Sequence, residues 1–354
     1  MKKTLLSFSS PLSGLSLMLA SCGGGVENDT TESTASTEES THPSTDSEET
    51  TAESESNPLN GKKFLFLGDS FIYYGQTVLE KTQTTLSQSA RENDKGYFYQ
   101  ICKANGAEVS VTNWTFGGHT LGNLCAEKCA ANRGCDGVNH LGLLTDYSYD
   151  YVVISGERAS NTTTKYFLDC IDTIVSTFQK GNPNTKFVYL VSSGAHNISV
   201  NPTLPHNILN NLKTLEARGF TVVDWGKLVA DIVNGAVTVP GGSQQYVKNS
   251  FTVCRSASDG YHPNQLAGYI TSQMLYCALT DTSAVGQDYS FCTNSKINSA
   301  FSTAGYLAKY YTYNNAKTNY PAIFSSADDM KGIQQLIDRY LSEKAYRSYN
   351  YSPL

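Results

Sequence analysis

A serine directly after a short apolar run is the first residue whose type and position suit it to chemistry. Residues 63–67 read Lys-Phe-Leu-Phe-Leu, and Gly68, Asp69 and Ser70 follow them. An apolar run of this length that ends at a glycine is typical of a buried strand. Open α/β sheets bind ligands at the carboxyl ends of their strands, so Ser70 stands where a nucleophile is useful. Gly-Asp-Ser also forms ordinary turns, so further residues are needed to decide.

A histidine with an aspartate three residues before it lies far along the chain, in Asp259-Gly260-Tyr261-His262-Pro263. Pro263 suits the first turn of a helix, which places His262 at the mouth of that helix. Asp259 can accept the Nδ1 proton of the imidazole and leave Nε2 free to take the proton of Ser70. The pattern therefore predicts a nucleophile, a base and an orienting acid. The alternative is a helix cap at Asp259 and a surface histidine.

Together, the two motifs resemble those of the SGNH (GDSL-type) hydrolases. The chain order, serine first and Asp-x-x-His last, does not fit the α/β-hydrolases, which use a Gly-x-Ser-x-Gly elbow. The resemblance spans about residues 61–280 and is nearest to a branch with Gly-Gly after the second strand and a glycine at Gly268. It implies a flavodoxin-like three-layer fold and hydrolysis of esters, often acetyl esters on carbohydrates. No cofactor and no metal are implied.

The resemblance also implies three hydrogen-bond donors for the oxyanion of the reaction. The backbone N–H of Ser70 is the first, and Gly117, preferred over Gly118, matches the glycine after the second strand. The asparagine of the family is expected at position 158, where Arg158 stands, so Arg158 and Asn161 are the candidates for the third donor. Loss of one donor typically costs on the order of 100- to 1000-fold in turnover. Because the expected asparagine is absent at position 158, two alternatives stay open: an altered oxyanion hole or a weak enzyme.

The elements that must position these residues alternate between strands and helices. Strands are predicted at 63–67, 107–116, 149–155, 186–192 and 220–224, and helices at 76–90, 96–104, 164–179, 205–218 and 263–279. Strands that are nearly all apolar are typical of a parallel sheet covered on both faces. The sequence therefore predicts an α/β fold, a three-layer αβα sandwich with a parallel sheet of about five strands. Residues 282–354, with a helix near 327–345, are expected to form a C-terminal extension packed on the same domain.

The N-terminus predicts export and a lipid anchor. Residues 1–21 begin with two lysines, continue with an apolar stretch and end in Leu-Ala-Ser before Cys22. A short apolar stretch closed by small residues is a signal peptide rather than a spanning helix. Leu-Ala-Ser-Cys resembles the bacterial lipobox, which implies a diacylated Cys22 in the cell envelope, exposed to the periplasm or the cell surface. The alternative is an ordinary secretory peptide with a chance cysteine.

Residues 22–57 are predicted to be a disordered tether that is followed by the hydrolase domain at 58–281. Ten acidic residues and no lysine or arginine lie between 26 and 57, with almost nothing apolar to bury. The whole chain of 354 residues has a net charge of -6, and the segment 58–354 sums to about +2. A near-neutral domain lacks the basic surface that nucleic-acid binding requires, so no nucleic-acid partner is expected. A monomer is expected.

The nine cysteines agree with export. Eight remain if Cys22 carries lipid, and some of these are expected to form disulfides in an oxidising compartment. Cys125, Cys129 and Cys135 lack the matched pairs of a zinc site, so no metal is predicted. The residues favour a serine ester hydrolase, and the resemblance implies that it acts on an acylated small molecule or glycan, foremost a carbohydrate acetyl ester. The alternatives are a catalytically weak, carbohydrate-binding surface lipoprotein and an O-acyltransferase that uses the same triad.

Overall fold

The computed structural model describes residues 56–73, 75, 77–78, 96–117, 121–124, 141–156, 164–192, 206–243, 246, 251, 262–289 and 326–344. All of them belong to one compact unit, Ser54–Leu354. Several predictions concern residues outside these ranges: the signal peptide, Cys22, nearly all of the tether, most of the helix at 76–90, and the site residues Gly118, Arg158, Asn161 and Asp259.

Five parallel strands form the sheet. They are β1 (Lys63–Gly68), β2 (Ser110–Thr115), β3 (Tyr151–Ile154), β4 (Lys186–Leu190) and β5 (Thr221–Val223). Their order in the sheet is β2-β1-β3-β4-β5, which is the flavodoxin-like order. The prediction of an α/β fold with about five parallel strands is confirmed. The order reverses between β1 and β3, and ligands bind at such a switch point in this class of fold.

Helices connect the strands. They are α1 (Ser70–Tyr73), α2 (Tyr97–Ala104), α3 (Leu121–Leu124), α4 (Thr164–Gly181), α5 (His206–Ala217), α6 (Trp225–Val233), α7 (Gln265–Thr280) and α8 (Ala327–Ser342). A 3₁₀ turn spans Leu141–Leu143. Helix α6 is absent from the sequence prediction. It begins directly after β5, where the side chain of Asp224 accepts a hydrogen bond from the backbone N–H of Lys227 at 2.9 Å.

The alternation of side chains along the strands gives the sheet two apolar faces. Phe64 and Phe66 of β1 face one layer of helices, α2, α6, α7 and α8, whereas Leu65 and Leu67 face the other, α3, α4 and α5. Successive side chains of a strand point to opposite faces, so a strand that is apolar throughout serves both layers. The predicted three-layer sandwich is confirmed.

Helix α8 lies in the same layer as α6 and α7. The hydroxyl of Tyr340 on α8 donates to Asp231 Oδ2 on α6 at 2.5 Å, and Lys227 Nζ contacts the same oxygen at 2.7 Å. Gln334 Nε2 reaches the hydroxyl of Tyr269 on α7 at 3.4 Å. These contacts join α8 to both neighbouring helices. Among the helices in the described ranges, none combines the length and apolar character needed to span a bilayer.

Candidate active site

The serine predicted as nucleophile opens helix α1 at the carboxyl end of β1, and its residue is only 6% exposed. Asp69 fixes this turn, because its Oδ1 accepts from Phe71 N at 3.0 Å and its carbonyl accepts from Ile72 N at 3.2 Å. A Cβ at Gly68 would lie 2.7 Å from the carbonyl oxygen of Ser155. Glycine at position 68 therefore lets the turn pass close to the end of β3.

The histidine lies just before helix α7. Asn264 caps this helix, since its Oδ1 accepts from Leu266 N at 3.0 Å and from Ala267 N at 3.3 Å. The helix therefore begins at Gln265, two residues later than the position of Pro263 in the sequence suggests. An asparagine side chain satisfies first-turn N–H groups, which a proline cannot do. His262 still lies at the mouth of the helix, two residues before the cap.

The structure brings Ser70 and His262 into contact across 192 positions of sequence. His262 Nε2 lies 2.9 Å from Ser70 Oγ, a normal hydrogen-bond distance. The ring of Phe71 lies beside the imidazole, with 5.5 Å between ring centroids and 34° between ring planes. Nε2 can accept the serine proton when Nδ1 carries the ring hydrogen, and Asp259 remains the predicted partner of Nδ1.

The register between β1 and β2 indicates that Gly117 follows β2 at the same distance beyond the paired residues as Ser70 follows β1. Gly68 of β1 is paired with Thr115 of β2, and Phe116 N donates to Gly68 O at 2.9 Å. Two residues beyond the paired positions stand Ser70 and Gly117, at the same edge of the sheet. Their backbone N–H groups are the first two donors predicted for an oxyanion, and the candidates for the third lie outside the described residues.

Tyr73 is a feature of the site that the sequence analysis does not assign. Its hydroxyl oxygen lies 2.7 Å from the position that a Cβ on Gly117 would take. The Tyr73 side chain is buried, at 7% exposure, so it has little space in which to withdraw. A side chain at position 117 would therefore meet the hydroxyl end of this ring next to the candidate oxyanion position. The spacing of one helical turn from Ser70 to Tyr73 is the signal in the sequence that could have indicated it.

Two buried thiols do not provide a competing nucleophile. Burial raises the pKa of the Cys277 thiol to about 11 and raises the pKa of Cys102 further still. The reactive form of cysteine is the thiolate, so both groups are inert at neutral pH. Cys102 and Cys277 are free thiols, and Cys22, Cys125, Cys129, Cys135, Cys254 and Cys292 lie outside the described residues. Within the described part of the chain, no group of three or more His, Cys, Asp or Glu side chains could hold a metal ion.

Comparison with known proteins gives matches among solved structures only. No protein-family model matches the sequence, and no curated protein is detectably similar to it. One similar structure is a carbohydrate esterase family 2 enzyme with a carbohydrate-binding domain from Corynascus thermopiles (Myceliophthora fergusii). It shows 18% identity and a TM-score of 0.37, and the match covers 63% of this chain and 67% of that one.

Two shorter proteins match over nearly their whole length. A GDSL-like lipase from Parabacteroides merdae shows 15% identity and a TM-score of 0.39, with 64% of this chain and 98% of that one covered. A variant of an acetyl-xylooligosaccharide esterase from Geobacillus Stearmophilus shows 15% identity and a TM-score of 0.38, with 63% and 94% covered. The flavodoxin-like strand order and the serine at the carboxyl end of β1 agree with the fold that the resemblance of the motifs implies.

Proposed function

We propose that this protein is a serine ester hydrolase in which Ser70 is the nucleophile and His262 the general base. The observation that carries the proposal is the 2.9 Å contact between Ser70 Oγ and His262 Nε2 at the carboxyl edge of the sheet. A serine hydroxyl is a weak nucleophile until an adjacent base accepts its proton. A histidine in hydrogen-bond contact is the commonest base for that task at neutral pH.

The reaction then follows from these groups. Ser70 Oγ attacks the ester carbonyl while His262 Nε2 takes its proton, and the carbonyl oxygen becomes an oxyanion that the N–H groups of Ser70 and Gly117 stabilise. The imidazolium returns the proton to the leaving alcohol as the ester C–O bond breaks, which leaves an acyl group on Ser70. Water, deprotonated by His262, attacks this acyl-enzyme and releases the acid, and Ser70 recovers its proton.

The substrate we propose is an acyl ester of a carbohydrate, foremost an acetyl ester. The proposal follows the resemblance of the Gly-Asp-Ser and Asp-x-x-His motifs to the SGNH hydrolases. Ser70 is only 6% exposed, and a small acyl group needs less space beside it than a long one. Acetylated oligosaccharides are therefore the first substrates to test, with longer acyl chains as the comparison.

Covalent labelling tests the nucleophile. A fluorophosphonate at neutral pH is expected to label the wild-type protein once, on the peptide that contains Ser70, because only an activated serine attacks this reagent quickly. Mass spectrometry of the digested protein locates the label. Ser70→Ala serves as the control and should remain unlabelled. Absence of label from the folded wild type would contradict the assignment and favour the carbohydrate-binding alternative. A label elsewhere that persists in Ser70→Ala would show that a different residue is the nucleophile.

We propose further that Cys22 carries lipid and holds the enzyme in the bacterial cell envelope. The support is the apolar segment that ends in Leu-Ala-Ser before this cysteine. Two or more acyl chains anchor a protein far more firmly than one. Cells fed a radiolabelled fatty acid should incorporate label into the wild-type protein and not into Cys22→Ser. Equal incorporation into both proteins would reject the anchor.

A further inference from the structure

Three glycines bring together the chain segments that carry the nucleophile and the base. Gly75 lies five residues after Ser70, Gly268 lies in the first turn of α7 six residues after His262, and Gly96 caps α2. We call this contact the glycine crossing and define it as Gly75, Gly96 and Gly268. We propose that the glycine crossing sets the distance between Ser70 Oγ and His262 Nε2, with Gly268 as a positioning residue; the inference rests on the proposed esterase function.

The approach of Gly75 to Gly268 leaves no space for a side chain. A Cβ at Gly268 would lie 1.6 Å from Gly75 O and 2.9 Å from Gly75 Cα. A Cβ at Gly75 would lie 2.9 Å from Gly268 Cα. Real Cβ atoms essentially never approach other heavy atoms within 3.0 Å, so a methyl group at Gly268 must separate the two backbones by more than about 1 Å.

The chain after Gly75 also lies close to the amino end of α2. A Cβ at Gly96 would lie 2.5 Å from Thr77 O and 2.7 Å from Val78 Cα, and Phe98 N donates to Thr77 O at 3.2 Å. This segment is therefore in close contact with the amino end of α2 as well as with α7, which limits how far it can move away from α7. A methyl group at Gly268 is therefore expected to displace α7.

A displacement of α7 is transmitted to the base. Gly268 N donates to Asn264 O at 2.9 Å, and the Asn264 side chain caps the same turn. His262 precedes this cap by two residues, so it moves with the amino end of the helix. Ser70 stays in place because it continues from β1, which is hydrogen-bonded to β2 and β3 on its two sides. The Ser70–His262 distance is therefore expected to increase.

The expected effect is large because proton transfer depends on short distances. A misplacement of about 1 Å costs about 100-fold in rate. Gly268→Ala is therefore expected to lower the second-order rate of fluorophosphonate labelling of Ser70 by about 100-fold for each folded molecule. Gly75→Ala, whose Cβ meets its nearest neighbour at 2.9 Å rather than 1.6 Å, is expected to cause a smaller loss of about tenfold.

A matched control separates positioning from lost stability. Gly332 in α8 has the same kind of close contact, since a Cβ there would lie 2.4 Å from Pro240 O, yet it lies outside the site. Gly332→Ala should destabilise the fold, as seen by urea denaturation, and should label at the wild-type rate for each folded molecule. If Gly268→Ala labels no more slowly than Gly332→Ala, the positioning role is wrong. If Gly268→Ala does not fold, the same comparison is made with Gly75→Ala.

A second measurement does not depend on catalysis. In the wild-type background, Ser70→Ala should shift the NMR signals of the His262 imidazole, because it removes the group in contact with Nε2. In the Gly268→Ala background, the same substitution should leave these signals in place. An undiminished shift there would overturn the proposal even if the wild-type protein were never labelled. Failure of the esterase function and failure of the positioning role are therefore distinguishable.

Discussion

Replacing Ser70 by alanine is expected to lower kcat for hydrolysis of a nitrophenyl acetate by roughly 10⁴- to 10⁶-fold. The hydroxyl that attacks the carbonyl is lost, and the alanine methyl group occupies the same small space. Ser70 is small and its Oγ contacts a half-buried histidine, so the free energy of unfolding should change little. Steady-state hydrolysis and urea denaturation of the same preparation measure the two quantities.

The loss should not increase when the base is removed as well. Nucleophile and base act as one unit, so Ser70→Ala, His262→Ala and the double variant should show nearly the same residual rate. Asp259→Asn is expected to cost about 10⁴-fold, because the imidazole would lose the acceptor predicted to hold its tautomer. Multiplicative losses in the double variant would mean that the two side chains act independently, which would count against the mechanism.

Replacing Asp231 by alanine is expected to cost about 3–5 kcal/mol of folding free energy, the largest effect on stability that we predict for a single side chain. The carboxylate of Asp231 accepts from Lys227 Nζ at 2.7 Å and from the Tyr340 hydroxyl at 2.5 Å. The side chains of Lys227 and Asp231 are only 10% and 11% exposed. Alanine would remove the carboxylate that pairs with this buried ammonium group. Urea denaturation measures the loss as a lower midpoint at an unchanged slope.

A surface ion pair provides the control. Asp172 pairs with Arg218, and its side chain is 61% exposed. Asp172→Ala should cost less than about 1 kcal/mol, because water screens and replaces the lost interaction. The double variant Lys227→Met, Asp231→Leu should recover much of the stability lost in Asp231→Ala, since apolar groups of similar size need no counter-charge. Equal losses at Asp231 and Asp172 would show that burial does not govern the strength of this pair.

The strands of the sheet could be predicted because each one corresponds to a short apolar run in the sequence. The apolar runs of β1, β3 and β4 each end at a polar or turn-forming residue, and such runs are typical of strands buried on both faces. Helix α6 could not be separated from the strand before it, since the chain passes from β5 into the helix through the single residue Asp224. The hydrogen bond between Asp224 and Lys227 that caps this helix forms only in the folded backbone, so the sequence alone does not indicate it.

Part of the site was predictable for a different reason. The motifs around Ser70 and His262 predict that these two residues lie in contact, because a serine nucleophile and a histidine base act together in one reaction. Nothing in the sequence indicates that Gly75 and Gly268 lie close together. A glycine shows only that no side chain is present, and it does not show which backbone segment occupies the space. The contact of Tyr73 with Gly117 likewise depends on how α1 is oriented against β2.

The position of α8 bears on when this protein can complete its structure during synthesis. The layer that covers Phe64 and Phe66 includes Met330, Ile333 and Tyr340, so the first strand is enclosed in part by a helix that lies far later in the chain. A growing polypeptide cannot enclose that layer until α8 has left the ribosome. Until then this face of the sheet stays open, which suits a protein that we propose is exported to the cell envelope.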